Sequence, residues 1–249
     1  MGRVPAGLSG GSERGEPVDA AAELVVAEVF GPTFQGEGPS AGRRAGFVRL
    51  GRCNLDCAWC DTPYTWDWRR FDPAVELSAE PVEGIVARLA EMAPEIVVIT
   101  GGEPLLQQRR LVPLLVACRE GGWPVEIETN GTLAPDPAVV ALVAGWNVSP
   151  KLANSGVPRE RRVRPDALAA LLATGRAVFK FVATSPDDLD EIAELADAHD
   201  LSPIWVMPEG IDAATVLDRA RSLAAPTLAR GWNLTPRLHI LLWGDERGR

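Results

Sequence analysis

Short apolar stretches alternate along this chain with longer segments whose apolar positions recur at helical spacing. The stretches cover residues 24–30, 47–51, 96–100, 125–129, 146–149, 177–182, 203–207 and 238–243. Many are rich in Val and Ile and several are apolar throughout, which is the pattern of strands buried on both faces of a parallel sheet. Between them, residues 78–92 and 105–121 read as helices. Ser185-Pro186-Asp187-Asp188 reads as a helix start, because Ser caps, Pro fits the first turn and Asp favours the positive helix end. Leu189, Ile192, Leu195 and Ala196 then form one stripe. Asp212 is placed to cap a further helix, with Val216, Leu217, Ala220, Leu223 and Ala224 on its inner side. About six strand–helix units follow from residue 47 onward, which implies an α/β layer or barrel. Such folds carry their chemistry at the carboxyl ends of the strands. Here those ends hold Arg52-Cys53, Gly101-Gly102-Glu103-Pro104, Asn130-Gly131, Pro150-Lys151 and Pro208-Glu209-Gly210.

Composition narrows the class. The chain has 249 residues, 46% apolar and 24% charged, enough apolar material for a sizeable core. Its net charge of −9 disfavours a generic nucleic-acid binder, which needs clustered cations. No apolar run reaches the roughly 18 residues of a membrane span. Residues 1–22 read as a flexible leader without the apolar core of a secretory signal, so the expected location is the cytoplasm. Residues 23–244 read as one domain and 245–249 as a polar tail.

Three of the four cysteines, Cys53, Cys57 and Cys60, fall in one window, Arg52-Cys53-Asn54-Leu55-Asp56-Cys57-Ala58-Trp59-Cys60-Asp61-Thr62. Three thiols cannot pair among themselves, so metal ligation is the expected role. An iron–sulfur cluster held by three thiolates would keep one iron open for another ligand. Zinc is the competing reading, with Cys118, His199 and His239 as the remaining soft ligands. Cys118 lies in an apolar run and reads as a core residue. The Gly101-Gly102 pair lets the backbone approach a ligand closely, and Glu103 could accept hydrogen bonds from an ammonium group.

The C-x-x-x-C-x-x-C spacing resembles the radical S-adenosylmethionine (SAM) enzymes. Phe34-Gln35-Gly36-Glu37-Gly38, Glu126-Ile127-Glu128-Thr129-Asn130-Gly131-Thr132 and Ser149-Pro150-Lys151 narrow the resemblance to the 7-carboxy-7-deazaguanine synthase family, over roughly residues 28–243. The resemblance implies a partial (β/α)6 barrel with parallel strands and outer helices. It implies a [4Fe–4S] cluster on Cys53, Cys57 and Cys60, with SAM on the fourth iron giving a 5′-deoxyadenosyl radical. The implied reaction is ring contraction of 6-carboxy-5,6,7,8-tetrahydropterin to 7-carboxy-7-deazaguanine, with loss of ammonia and help from magnesium. Deazapurine biosynthesis, as for queuosine, is the implied context.

The same resemblance implies roles residue by residue. Thr62 matches a magnesium ligand. Trp59, Gly102, Glu103, Thr129, Ser149 and Lys151 match cofactor-binding positions. Gln35, Glu37, Arg49, Glu128 and His239 match substrate-binding positions. Acceptors such as Gln35 and Glu37 suit the N–H edge of a pterin, and Arg49 suits a carboxylate. The bland alternatives are an ion-pair partner at a strand end for Arg49, a solvated loop charge for Lys151 and a core histidine for His239. Lys180, a charge inside an apolar stretch, has no assigned role. The family usually carries Gly where this chain has Arg52. A homodimer and a flavodoxin-type electron donor are the family expectations. A glycyl-radical-activating enzyme and a non-catalytic iron–sulfur or zinc module are the alternatives.

Overall fold

A computed structural model describes residues 23–249; the leader expected over residues 1–22 lies outside them. One sheet runs through the described residues, in the strand order β3-β1-β2-β4-β5-β6-β7-β8-β9. Its strands are β1 (Glu23–Phe34), β2 (Arg44–Leu50), β3 (Ser78–Pro81), β4 (Ile96–Gly101), β5 (Val125–Thr129), β6 (Gly145–Val148), β7 (Ala177–Ala183), β8 (Ile204–Pro208) and β9 (Asn233–Leu234). From β2 to β9 every neighbouring pair is parallel, while β1 pairs antiparallel with β2 and β3. Since β3 and β9 are paired on one side only, the barrel stays open, as the sequence implies.

The helices are α1 (Pro73–Glu76), α2 (Val82–Met92), α3 (Gln108–Glu120), α4 (Pro137–Val140), α5 (Arg159–Arg162), α6 (Pro165–Leu172), α7 (Asp188–His199), α8 (Ala213–Ala229) and α9 (Leu238–Trp243), and of these α2, α3, α4, α6, α7 and α8 bury residues in the outer core. Alternation along each strand separates two environments. On β7, Phe179 and Phe181 point outward into the main core with Ile192, Leu195 and Leu223. Val182 and Lys180 line the inner cavity. On β4, Val97 and Ile99 join the outer core, whereas Val98 packs inside with Ala45, Phe47 and Ile96. Cys118 is fully buried in the outer core, as expected of a small apolar side chain.

Four local expectations are corrected. Residues 238–243 form helix α9, not a strand, because the two-residue β9 already occupies the sheet edge beside β8. After Pro236 the chain turns inward, and the Leu238 N–H bonds the Gly36 carbonyl at 2.9 Å. Residues 78–81 pair with β1, so the helix expected from residue 78 begins at Val82. At the start of α7 the Ser185 hydroxyl caps no helical N–H; instead the Asp188 carboxylate accepts the Thr184 and Ser185 N–H groups that precede the helix. Leu217 is exposed, because its inward neighbour Val216 is one residue, about 100°, away on the helix. Asp212 caps α8 as expected, accepting from the Thr215 N–H at 2.9 Å. No helix among the described residues is long and apolar enough to cross a membrane.

Phe179 joins the sheet to its helices and is fully buried. Its truncation, Phe179→Ala, is expected to cost about 3–5 kcal/mol, read from urea unfolding. A cost below about 1 kcal/mol would contradict this placement.

A cavity at the carboxyl ends of the strands

The cysteine loop leaves β2 at Leu50 and is held by backbone docking. The Gly102 N–H bonds the Leu50 carbonyl at 3.0 Å, and the Glu103 N–H bonds the Arg52 carbonyl at 2.8 Å. A Cβ on Gly102 would lie 1.8 Å from the Arg52 oxygen, so only Gly allows the two segments to meet. Arg52 itself has φ +74°, the left-handed region in which a side chain is disfavoured. Gly at this position would remove that cost, which is a physical reason for the family preference. The rest of the loop is pinned by other strand ends. Asn54 bonds Asn130 and Thr132 after β5, the Ala58 N–H bonds the Ser155 carbonyl, and Trp59 Nε1 donates to Asn154 Oδ1 at 3.2 Å.

Cys53, Cys57 and Cys60 line one cavity of about 490 Å³, a volume in the ordinary range for small-molecule sites. The Leu55 N–H points at Cys53 Sγ at 3.4 Å, and Trp66 Nε1 points at Cys60 Sγ at 3.3 Å. Burial pushes the Cys53 thiol up to about 12 and raises Cys57 as well. Half-buried thiols, two of them with N–H donors aimed at sulfur, fit a bound metal centre, whose charge drives off the protons. Among the described residues no group of three or more His, Cys, Asp or Glu is arranged to hold a single metal ion. Thiols spread around a cavity suit a polynuclear cluster, which occupies the space between them.

Of the residues singled out from sequence, Gln35, Glu37, Arg49, Cys53, Cys57, Trp59, Cys60, Thr62, Gly102, Glu128, Thr129, Ser149, Lys151 and His239 all line this cavity. Glu103 is not among them. It is fully buried, and its carboxylate accepts from the Leu105 N–H at 3.0 Å, Thr129 Oγ1 at 2.8 Å and the Asn130 N–H at 2.7 Å. It ties the β4 and β5 ends together, and burial keeps its pKa above the usual value despite those bonds.

At the thiol end, Lys151 Nζ bonds Ser149 Oγ at 3.0 Å and lies 5.5 Å from the Trp59 ring. Across the cavity, Arg49 Nε pairs with Glu28 at 2.9 Å, and its guanidinium lies 5.3 Å over Phe30. The Arg49 Nη atoms make no hydrogen bond among the described residues. The floor is a charge cluster. Lys180 Nζ bonds Glu37 and stands 3.7 Å from Glu128 Oε1. Arg237 bonds Asp61 and reaches Glu37 at 3.2 Å. His239 Nε2 is 3.9 Å from Glu37. Burial works against the Glu37 charge, yet Lys180 and Arg237 together hold its pKa well below the usual carboxylate range. His239 is lowered chiefly by burial, so its neutral form is favoured.

Sequence reasoning missed Asp61, Tyr64, Thr100 and Arg237, and left Lys180 without a role. Their partners come from distant segments, so no local pattern marks them. The tail also reaches the cavity. Arg247 bonds Glu28, bonds Glu76 at 2.9 Å and stacks 3.9 Å over Tyr64, and residues 244–249 contribute to the lining.

The family model for the radical SAM superfamily matches residues 48–150. The chain is 36% identical to a 7-carboxy-7-deazaguanine synthase from Pyrobaculum aerophilum, over 93% of this chain and all of that protein. It is 37% identical to its counterpart from Hyperthermus butylicus, over 88% of this chain and 92% of that one. Among solved structures, the crystal structure of QueE from Escherichia coli superposes with a TM-score of 0.65 at 28% identity, covering 86% of this chain and 93% of the other.

The backbone contact at Gly102 generates a paired prediction. Gly102→Ala is expected to displace the cysteine loop, lowering both Tm and iron content after anaerobic reconstitution. Arg52→Gly is expected to stabilise by about 1 kcal/mol, by removing left-handed strain, with iron content unchanged. A Gly102→Ala protein with normal iron loading would refute the close-approach argument.

Proposed function

The chain belongs to the 7-carboxy-7-deazaguanine synthase family of radical SAM enzymes, and from that premise we propose how its residues divide the work. It is a lyase that converts 6-carboxy-5,6,7,8-tetrahydropterin to 7-carboxy-7-deazaguanine, with a [4Fe–4S] cluster, SAM and magnesium as cofactors. The observation that carries the division of roles is the convergence of thiols, a basic pair and a carboxylate cluster on one cavity. Bound at the thiols, the cluster with SAM supplies the one-electron chemistry that starts hydrogen abstraction.

Cys53, Cys57 and Cys60 hold the cluster, and the N–H groups of Leu55 and Trp66 disperse charge on two of their sulfurs. Ser149 and Lys151 offer a hydroxyl and a cation to the ribose and carboxylate of SAM. Trp59 presents a flat ring beside them, and Gly102 lets the backbone approach. Thr129 borders the same space. Glu103 supports this end indirectly, by fixing the β4 and β5 turns. Thr62 supplies a hard oxygen for magnesium, 3.8 Å from Cys60 Sγ.

At the other end, Arg49 keeps a two-pronged face for the substrate carboxylate, while Glu28 fixes its orientation through Nε. Glu37 and Glu128 accept from the N–H edge of the pterin. Gln35 braces them, accepting the Glu37 N–H at 3.2 Å and donating to Glu128 at 3.3 Å. Neutral His239 stands at the same edge as donor or acceptor. Residues 23–244 act as one catalytic domain. A cytoplasmic homodimer supplied by a flavodoxin-type one-electron donor completes the proposal.

Anaerobic protein reconstituted with iron and sulfide, given SAM, magnesium, a strong reductant and the carboxytetrahydropterin, is expected to release 7-carboxy-7-deazaguanine, detected by mass spectrometry. A fully loaded cluster without product would sink the substrate assignment. Cys57→Ala is expected to lose the cluster absorbance and all turnover, and retained iron with turnover would contradict the ligand set. Arg49→Ala is expected to weaken the carboxypterin by roughly 10- to 100-fold, the scale of a charge-assisted bond, with SAM affinity nearly unchanged. Equal loss of both affinities would count against the carboxylate role.

A further inference from the structure

Lys180 is a buried cation that the division of roles above does not use. It stands on the inward face of β7, its side chain 4% exposed, and lines the cavity. Its ammonium bonds Glu37, from the loop after β1, and lies 3.7 Å from Glu128 on β5. Two carboxylates facing one cavity repel each other, and a cation within reach of both offsets that repulsion. The other groups facing them are also known. Arg237 and His239 reach Glu37, Gln35 and Thr100 donate to Glu128, and Asp61 pairs with Arg237.

The counts of donors and acceptors are informative. A carboxylate has about four acceptor sites, and an ammonium has three donors. Protein hydrogen bonds take two sites on Glu37, from Lys180 and Arg237, and two on Glu128, from Gln35 and Thr100. Each carboxylate therefore keeps acceptor capacity, and Lys180 keeps a donor. The cluster offers one cationic donor beside two anionic acceptors.

We propose that Lys180 is a positioning and specificity residue: it holds Glu37 and Glu128 as a charged acceptor pair and donates beside them, so the cavity takes a ring edge that reads carbonyl, N–H, amino. That edge is a 2-amino-4-oxopyrimidine. A 2,4-dioxopyrimidine edge instead sets a carbonyl against a carboxylate and is rejected. The inference rests on the pterin reading given above and deepens it.

Two fluorescent, unreactive probes test it, 6-carboxypterin and 6-carboxylumazine, titrated into the reconstituted protein with SAM present. They differ in carrying an amino or an oxo group at C2. The wild type is expected to prefer the pterin acid by roughly 10- to 100-fold, the scale of one charge-assisted hydrogen bond. Lys180→Met is expected to lose most of that preference, mainly through weaker pterin binding, with SAM affinity unchanged. Lys180→Arg, which keeps the cation, is expected to restore much of the preference. A wild type that binds both acids equally overturns the proposal without any variant, so failure of Lys180→Met to fold does not shield it. A Lys180→Met protein that keeps the wild-type preference, or that loses both acids equally, overturns the role of Lys180 alone. A wild type that binds SAM but neither acid overturns the pterin reading itself, and this inference with it.

Discussion

The site depends on a backbone contact with no room for a side chain. Where β2 and β4 end, the turn at Gly102 and Glu103 lies directly on Leu50 and Arg52. That contact sets the distance between the cysteine loop and the sheet. Glu103 carries the constraint onward, because its carboxylate gathers N–H and O–H donors from the β5 end as well. The thiols thus stand on a frame built from several strand ends, and Arg52 bears a left-handed φ to preserve it.

The inner face of the sheet is unusual in what it buries. Outward-facing side chains form an ordinary apolar core against the helices. Inward-facing positions on β4 to β7 carry Thr100, Glu126, Glu128, Asn147 and Lys180, none of them exposed. Such groups are costly to bury unless each finds partners, and here each does. Ser40 and Asn147 satisfy Glu126, for example, and Lys180 and Arg237 offset Glu37. A preorganised polar floor of this kind makes complementary hydrogen bonds without first reorganising. Its charges also explain why the tail matters: Arg247 and Arg49 both converge on Glu28, linking the cavity wall to the last residues of the chain.

Much of this was legible in the sequence because its signals are local. Strands β5 and β7 match their expected stretches closely, because alternate residues on each are apolar side chains packed into the outer core. The Cys53, Cys57 and Cys60 spacing, the Gly101-Gly102 pair and the strand-end polar motifs likewise sit within a few residues of one another. The misreadings have the opposite character. Residues 238–243 are apolar in a way that suits strand or helix, and only occupancy of the sheet edge by β9 decides between them. The partners of Glu103 were equally hidden, because they come from the β5 turn, 26 and 27 residues further along the chain.

The sequence by itself determined the alternation of strands and helices, the thiol triad and the residue types collected at the strand ends, because each depends on neighbours along the chain. Only the tertiary structure decided that Lys180 meets both Glu37 and Glu128, which are 143 and 52 residues away along the chain, and that Arg237 joins Asp61 to Glu37. Coulombic attraction and hydrogen bonding act over a few ångströms of space, so pairs so far apart in the chain leave no mark on any local pattern.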